Sequence, residues 1–352
     1  MHFRNLLRVI SGALTITLFG CGGGGGEDAT ALAVASEKKL PTSLSRGINL
    51  AGAEFGASKL PGRSGYDYLW PPAVDIAMYA DAGFKTIRVP FLWERMQPEL
   101  FNPLNSAELA RLDEVINSAA AKNMTVILDL HNYGAYRGSL IGSVAVPSSA
   151  LQDFWSRLAT QYKGSTSVVF GLMNEPHNQS AADWAVIAQS AVNAIRATGA
   201  PQLILVPGTN WSGAHSWMTR YGTVSNADAL LGLKDPGNNF AFEMHQYFDT
   251  WSSGTTPSCV SATIGVERLQ AATEWLRQNN KKGFLGEFGA STDPVCISAL
   301  TNTLAFLNTN SDVWQGWTYW AGARWFGNYM FNIYPPNKST SAQLTAIDAF
   351  LK

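Results

Sequence analysis

Two glutamates, Glu175 and Glu287, stand at or near the end of strongly apolar runs, 168–175 and 283–289. A carboxylate at the end of a core segment costs several kcal/mol unless it is paired or solvated in a cleft. One such glutamate is ordinarily a loop cap or an ion-pair partner; two, each inside a dense polar and aromatic cluster, call for a chemical explanation. Other apolar runs end on Arg88 before Pro90, on His131 with Asn132, on Asn174 beside Glu175, on His245 with Tyr247, and on Trp320. Taken singly, His131 reads as a structural histidine, Arg88 as the neutraliser of a buried acid, and Trp320 as core. Taken together they surround a pair of carboxylates with donors and a flat ring. Two facing carboxylates are the equipment for cutting a glycosidic bond, one to protonate the leaving oxygen and one to act at the anomeric carbon.

The elements that must position these residues follow from the pattern of apolar runs. Eight short runs recur, at 47–50, 86–90, 125–131, 168–175, 203–208, 240–247, 283–289 and 314–321, with successive starts 31 to 43 residues apart. That spacing holds a strand, a loop, a helix and a return. Between the runs lie helical patterns, at 106–122, 181–198 and 265–280. In the second, Ser180 caps the start, Trp184, Ile187, Ala191 and Ile195 share a face, and Gly199-Ala200-Pro201 ends it. Continuous apolar runs suit strands buried on both faces, as in a parallel sheet wrapped by helices. Eight units predict an α/β fold, a closed (β/α)8 TIM barrel with a single catalytic domain. The alternative, an open doubly wound sheet, more often carries a Gly-rich turn after its first strand, which Gly47-Ile48-Asn49-Leu50 lacks. In a barrel the C-terminal strand ends share one mouth. Runs four and seven then set Glu175 and Glu287 on opposite sides of the ring, facing across it.

The chain has 352 residues, 46% hydrophobic and 14% charged, so it is neither disordered nor a coiled coil. Its formal charge of -1 gives no footprint for a polyanion, and nucleic acid is not an expected partner. The 12 Trp, 11 Tyr and 17 Phe are many for so few charges; most fill the core, and exposed faces suit a neutral ring-shaped ligand. At the start, Arg4 and Arg8 precede an apolar run, 9–19, of signal-peptide length and too short to span a bilayer. Residues 1–20 read as a leader, and Leu18-Phe19-Gly20-Cys21 resembles the bacterial lipoprotein box, with Cys21 the lipidated first mature residue. Residues 21–40, rich in Gly and Ala, read as a tether or pro-segment, and 41–352 as the catalytic domain. Gly20, Gly22 and Gly25 match a dinucleotide fingerprint in spacing but have no preceding strand. Cys259 and Cys296 remain for an oxidising compartment, as a disulfide or as two buried thiols. His131, His177, His215 and His245 show no metal-ligand spacing.

The segments Arg46-Gly47-Ile48-Asn49-Leu50, Ile87-Arg88-Val89-Pro90, Asp129-Leu130-His131-Asn132-Tyr133, Gly171-Leu172-Met173-Asn174-Glu175-Pro176, Met244-His245-Gln246-Tyr247, Gly286-Glu287-Phe288-Gly289 and Tyr319-Trp320 resemble glycoside hydrolase family 5, its cellulase branch. The likeness runs over about residues 41 to 350 in the family's order. It implies Glu175 as acid/base and Glu287 as nucleophile of a retaining endo-β-1,4-glucanase, with Arg88, His131, Asn174, His245, Tyr247 and Trp320 completing the site. By position alone, Trp211 and His215 after run five and Trp325 after run eight are expected to line an extended cleft. The resemblance implies no metal or organic cofactor, and β-1,4-glucan as substrate, with mannan, xyloglucan and mixed-linkage glucan using similar machinery. A monomer is expected, exported to the outer membrane or cell surface or released to the medium. About thirty residues follow Trp320, ending in a helix-like stretch at 341–351, so no separate binding module is expected. An oligosaccharide-binding barrel without catalysis is the rival reading, and it has no use for two opposed carboxylates.

Overall fold

In the computed structural model, which describes residues 45–352, eight parallel strands close into a ring. They are β1 (Ser45–Asn49), β2 (Thr86–Phe91), β3 (Thr125–Leu130), β4 (Val168–Gly171), β5 (Ile204–Pro207), β6 (Phe240–His245), β7 (Gly283–Glu287) and β8 (Trp314–Tyr319). Each is followed by a helix, in turn α1 (Ala73–Asp81), α2 (Ser106–Ala121), α3 (Ser148–Tyr162), α4 (Ala181–Ala197), α5 (Asn226–Leu230), α6 (Ile264–Gln278), α7 (Pro294–Thr309) and α8 (Ala342–Asp348). All eight expected strands and the four expected helices are present, shifted at their ends by a few residues. Ser180 caps α4, its side chain accepting from the Asp183 N–H, as the sequence pattern required. The expectations for the leader, Cys21 and the 21–40 tether lie outside the described residues.

Alternation along the strands fills the ring in two layers. The lower layer is apolar: Ile127, Val169, Leu205, Ala241 and Phe284 form a closed cluster. Two residues further along the same inward faces come Asp129 above Ile127, Gly171 above Val169, Glu243 above Ala241 and Gly286 above Phe284. Arg88 of β2 enters this upper layer with no solvent exposure. The barrel is therefore oily at its base and ionic at its mouth.

Two departures from the expected strands shape that mouth. The fourth run stops being a strand at Gly171, so Asn174 and Glu175 sit on the loop beyond it, and Glu175 takes a left-handed φ of 41°. Such backbone costs about 1–3 kcal/mol and persists where surrounding contacts fix it. The second departure is a register shift between β6 and β7: Met244 pairs with Leu285, but His245 pairs with Glu287. The extra residue is Gly286. Strict alternation would turn Glu287 outward like Leu285; one bulged residue turns it inward beside His245. Strands β4 and β7 are three places apart in the ring rather than diametrically opposite, so the two glutamates approach more closely than the expected arrangement implied. Cys259 and Cys296 form a disulfide tying the loop after β6 to the first turn of α7.

Candidate active site

Arg88 is the hub. Its Nη1 donates to Glu287 Oε1 at 2.9 Å and to Asn49 Oδ1 at 3.0 Å, and its Nη2 donates to Asn174 Oδ1 at 2.8 Å. Asp129 Oδ1 lies 3.1 Å from Nη2, and Glu243 Oε1 lies 2.9 Å from Nε. Burial alone would lower the Arg88 pKa, but Asp129, Glu243 and Glu287 together raise it, so the guanidinium is permanently charged.

Glu287 is held on both oxygens. Oε1 accepts from Arg88 and Oε2 accepts from the Tyr247 hydroxyl at 2.8 Å. Both contacts favour the ionised carboxylate. Burial is the largest influence and leaves its pKa above the ordinary carboxylate value, with His245 and Arg88 opposing it. Tyr247 is buried and its hydroxyl is pushed far above the ordinary range, by desolvation first and by the Glu287 charge next, so it stays a donor.

Glu175 meets His245, whose Nδ1 is 2.7 Å from Glu175 Oε1 and 3.6 Å from Glu287 Oε2. Burial would depress the imidazole, but Glu287, Glu175 and Glu243 outweigh it and push His245 up to about 10. One oxygen of Glu175, one oxygen of Glu287 and a nitrogen of His245 lie within 4.8 Å of one another. These three are the one histidine and acid cluster among the described residues compact enough to hold a metal ion, and all three are already engaged with partners inside the site. The Glu175 side chain is 17% exposed and that of Glu287 6%, so the first faces the opening and the second lies beneath it.

His131 touches neither acid. Its Nδ1 is 2.7 Å from Asp129 and its Nε2 is 3.2 Å from both Asn174 Nδ2 and the Tyr133 hydroxyl, so it orients Asn174. Its ring stacks on Trp320 at 5.9 Å and 14°. From there a row of rings extends along the mouth: Tyr133 edge-on to His131 at 5.2 Å, His177 edge-on to Tyr133 at 5.7 Å, and Trp211 stacked on His177 at 4.8 Å. On the other side Phe326 leans on Trp320 at 6.0 Å and Phe55 on Phe326 at 5.2 Å.

The structure thus brings together Arg88, His131, Asn174, Glu175, His245, Tyr247, Glu287 and Trp320. Trp211 joins them through His177, with 52% of its surface exposed. Trp325, 39% exposed, pairs with no other aromatic ring among the described residues, while its neighbour Phe326 stands beside Trp320. His215 is exposed, and its backbone N–H donates to Gln246 Oε1. Sequence reasoning missed Asn49, Asp129, Glu243, Tyr133 and His177. A signal for two of them was available: Asp129 and Glu243 each stand two residues before a site histidine, and period-two alternation puts acid and imidazole on one face.

Residues 45–323 match the family model "Cellulase (glycosyl hydrolase family 5)". The chain belongs to glycosyl hydrolase family 5, the cellulases. Among family relatives, a probable endo-beta-1,4-glucanase B of Neosartorya fischeri is 40% identical over 293 residues, 83% of this chain and 86% of that one. Among solved cellulase structures, the endo-beta-1,4-glucanase Xac0029 of Xanthomonas axonopodis pv. citri is 45% identical with a TM-score of 0.86, covering 88% of this chain and 98% of that one. XacCel5A in complex with cellopentaose is 49% identical with a TM-score of 0.86, covering 88% and 100%.

Proposed function

We propose that this family 5 protein is an endo-β-1,4-glucanase that cuts internal bonds of cellulose chains with retention, Glu175 as acid/base and Glu287 as nucleophile. The reading rests above all on one observation: carboxylate oxygens of Glu175 and Glu287 within 4.8 Å. Retaining enzymes hold their carboxyl groups about 5–5.5 Å apart, whereas inverting ones need about 6.5–9.5 Å to seat a water. The endoglucanase names of the relatives and the cellopentaose bound by XacCel5A support the substrate class.

In the first step an oxygen of Glu287 bonds to the anomeric carbon as the bond to the leaving oxygen breaks. The proton held on the Glu175–His245 contact passes through Glu175 to that oxygen. In the second step Glu175 takes a proton from water, whose oxygen displaces Glu287 from the same carbon, so two inversions give retention. Arg88 and Tyr247 keep Glu287 ionised and aimed. Asn174, fixed by Arg88 and His131, is placed to donate to the sugar's 2-hydroxyl, a contact that strengthens in the transition state. Trp320 offers its face to that sugar, and the row from His131 to Trp211 supplies stacking surface for the next units. We further propose that the protein is a monomer exported through leader 1–20. Cys21 would be its lipid anchor, residues 21–40 its tether and 41–352 its catalytic domain, with surface attachment or release after processing. No helix among the described residues is long and apolar enough to cross a membrane.

Viscosity and reducing-end release measured together on carboxymethylcellulose test the activity. A rapid viscosity fall with few new ends, absent in Glu287→Gln, is expected. No change with either protein would overturn the cellulose assignment, and silence on mannan and xyloglucan as well would leave a binding protein.

A further inference from the structure

His245 is enclosed by acids on both ring nitrogens. Nδ1 faces Glu175 Oε1 at 2.7 Å, and Nε2 faces Glu243 Oε1 at 3.4 Å. A neutral imidazole keeps one bare nitrogen, and here that nitrogen would point its lone pair at a carboxylate oxygen. Glu243 has no solvent exposure and belongs to none of the groups that would meet a sugar. Its Oε1 also forms an ion pair with Arg88, 2.9 Å from Nε, and its Oε2 has no hydrogen-bond partner among the described residues. Burial alone would raise the Glu243 carboxyl, but Arg88 and His245 hold it below the ordinary range. A buried charge with so few partners survives only where neighbouring cations compensate it.

The neighbouring strand is shaped to admit it. A Cβ placed on Gly286 would lie 2.2 Å from Glu243 Oε1, so no side chain other than hydrogen fits there while Glu243 keeps its position. The same Gly286 forms the bulge that turns Glu287 inward. Three places along the ring, Asp129 on β3 and His131 just after it repeat the arrangement, acid two residues before imidazole, with Asp129 also paired to Arg88.

We propose that Glu243 is a positioning residue: it pins one proton on Nε2 of His245, so that the proton on the line between Nδ1 and Glu175 Oε1 is the one available to the leaving oxygen. The inference rests on Glu175 being the acid/base. The groups facing the imidazole are Glu243 from its own strand, Glu287 from β7, Glu175 from the loop after β4, and Arg88 from β2 acting through Glu243 and Glu287. Three of the four are acidic. Removing the Glu243 charge therefore lowers the pH at which His245 loses a proton, by about 1 to 3 pH units for an opposite charge at this range.

Nitrogen NMR of the histidine rings, with His245 assigned through His245→Asn, reads the state directly in the unaltered protein. Both His245 nitrogens are expected to carry protons at neutral pH and up to about pH 9. In Glu243→Gln the titration moves down by about 1 to 3 pH units, and the basic limb of kcat on cellopentaose moves with it while KM changes less than twofold. Glu243→Asp keeps the charge and keeps the limb. A merely structural role would lower the unfolding temperature without moving either titration. A single protonated nitrogen on His245 in the unaltered protein at neutral pH overturns the proposal, even if neither variant folds. So does an unmoved titration in a folded Glu243→Gln. Because the ring spectra need no turnover, a protein inactive on every glucan would sink the functional reading and leave this test intact.

Discussion

Tyr247→Phe removes one oxygen and little else. The ring of Tyr247 stacks on Phe331 at 6.0 Å and 16°, contacts the phenylalanine retains. What is lost is the 2.8 Å donation to Glu287 Oε2, a buried bond to a charged acceptor. Such bonds contribute about 1.5–3 kcal/mol, and a donor that favours only the ionised form shifts the pKa by one unit per 1.36 kcal/mol. The sign follows from which form is favoured: without the donor the Glu287 carboxylate is less stable and its pKa rises. The acid limb of kcat/KM, which reports the free enzyme, is therefore expected to move up by about 1–2 pH units. Initial rates on cellopentaose across the acid range measure it, with circular dichroism showing that the variant is folded. An acid limb that stays in place or moves down in a folded variant would refute the claim that Tyr247 stabilises the Glu287 carboxylate.

Glu54, a buried acid outside the expected set, has its carboxyl pushed up from 4.5 to about 7 by desolvation, with His131 opposing. Below its unfolded value both states are protonated; as pH rises through the folded value the unfolded chain is favoured, by about 3 kcal/mol in the limit. Glu54→Gln should thus be more stable than the parent to urea at about pH 8 and equal to it at about pH 4, and an equal difference at both would contradict this. Replacing Cys259 and Cys296 by serine, which opens a loop with a sequence separation of 37, should cost about 4 kcal/mol in urea unfolding. An unchanged midpoint would mean the crosslink adds nothing. Trp211→Ala, removing the exposed end of the ring row, should raise KM for cello-oligosaccharides about 2- to 10-fold with kcat nearly constant, on the scale of one aromatic stack. A fall in kcat alone would place Trp211 elsewhere in the cycle.

Most of the barrel was legible because its strands are buried on both faces and therefore appear as unbroken apolar runs, and because polar residues ending such runs are costly. The residues that determine how the site is tuned were less legible. Asp129 and Glu243 sit inside apolar runs rather than at their ends, where only strand alternation shows that they share a face with a histidine. The bulge at Gly286 has a weak signal, a lone glycine in a strand, and nothing local says that it reverses the side on which Glu287 emerges. The choice of Phe326 over Trp325 depends on how a short 3-10 turn is oriented by its packing on Trp320 and Phe55, which no local pattern encodes.

The spacing of Glu175 and Glu287 makes a stereochemical demand that one spectrum can meet. Proton NMR of the first products released from cellopentaose, recorded before mutarotation, distinguishes the anomers. The account predicts that the β-anomer appears first and the α-anomer only as mutarotation proceeds. An α-anomer formed first would mean inversion, and would contradict a covalent role for Glu287.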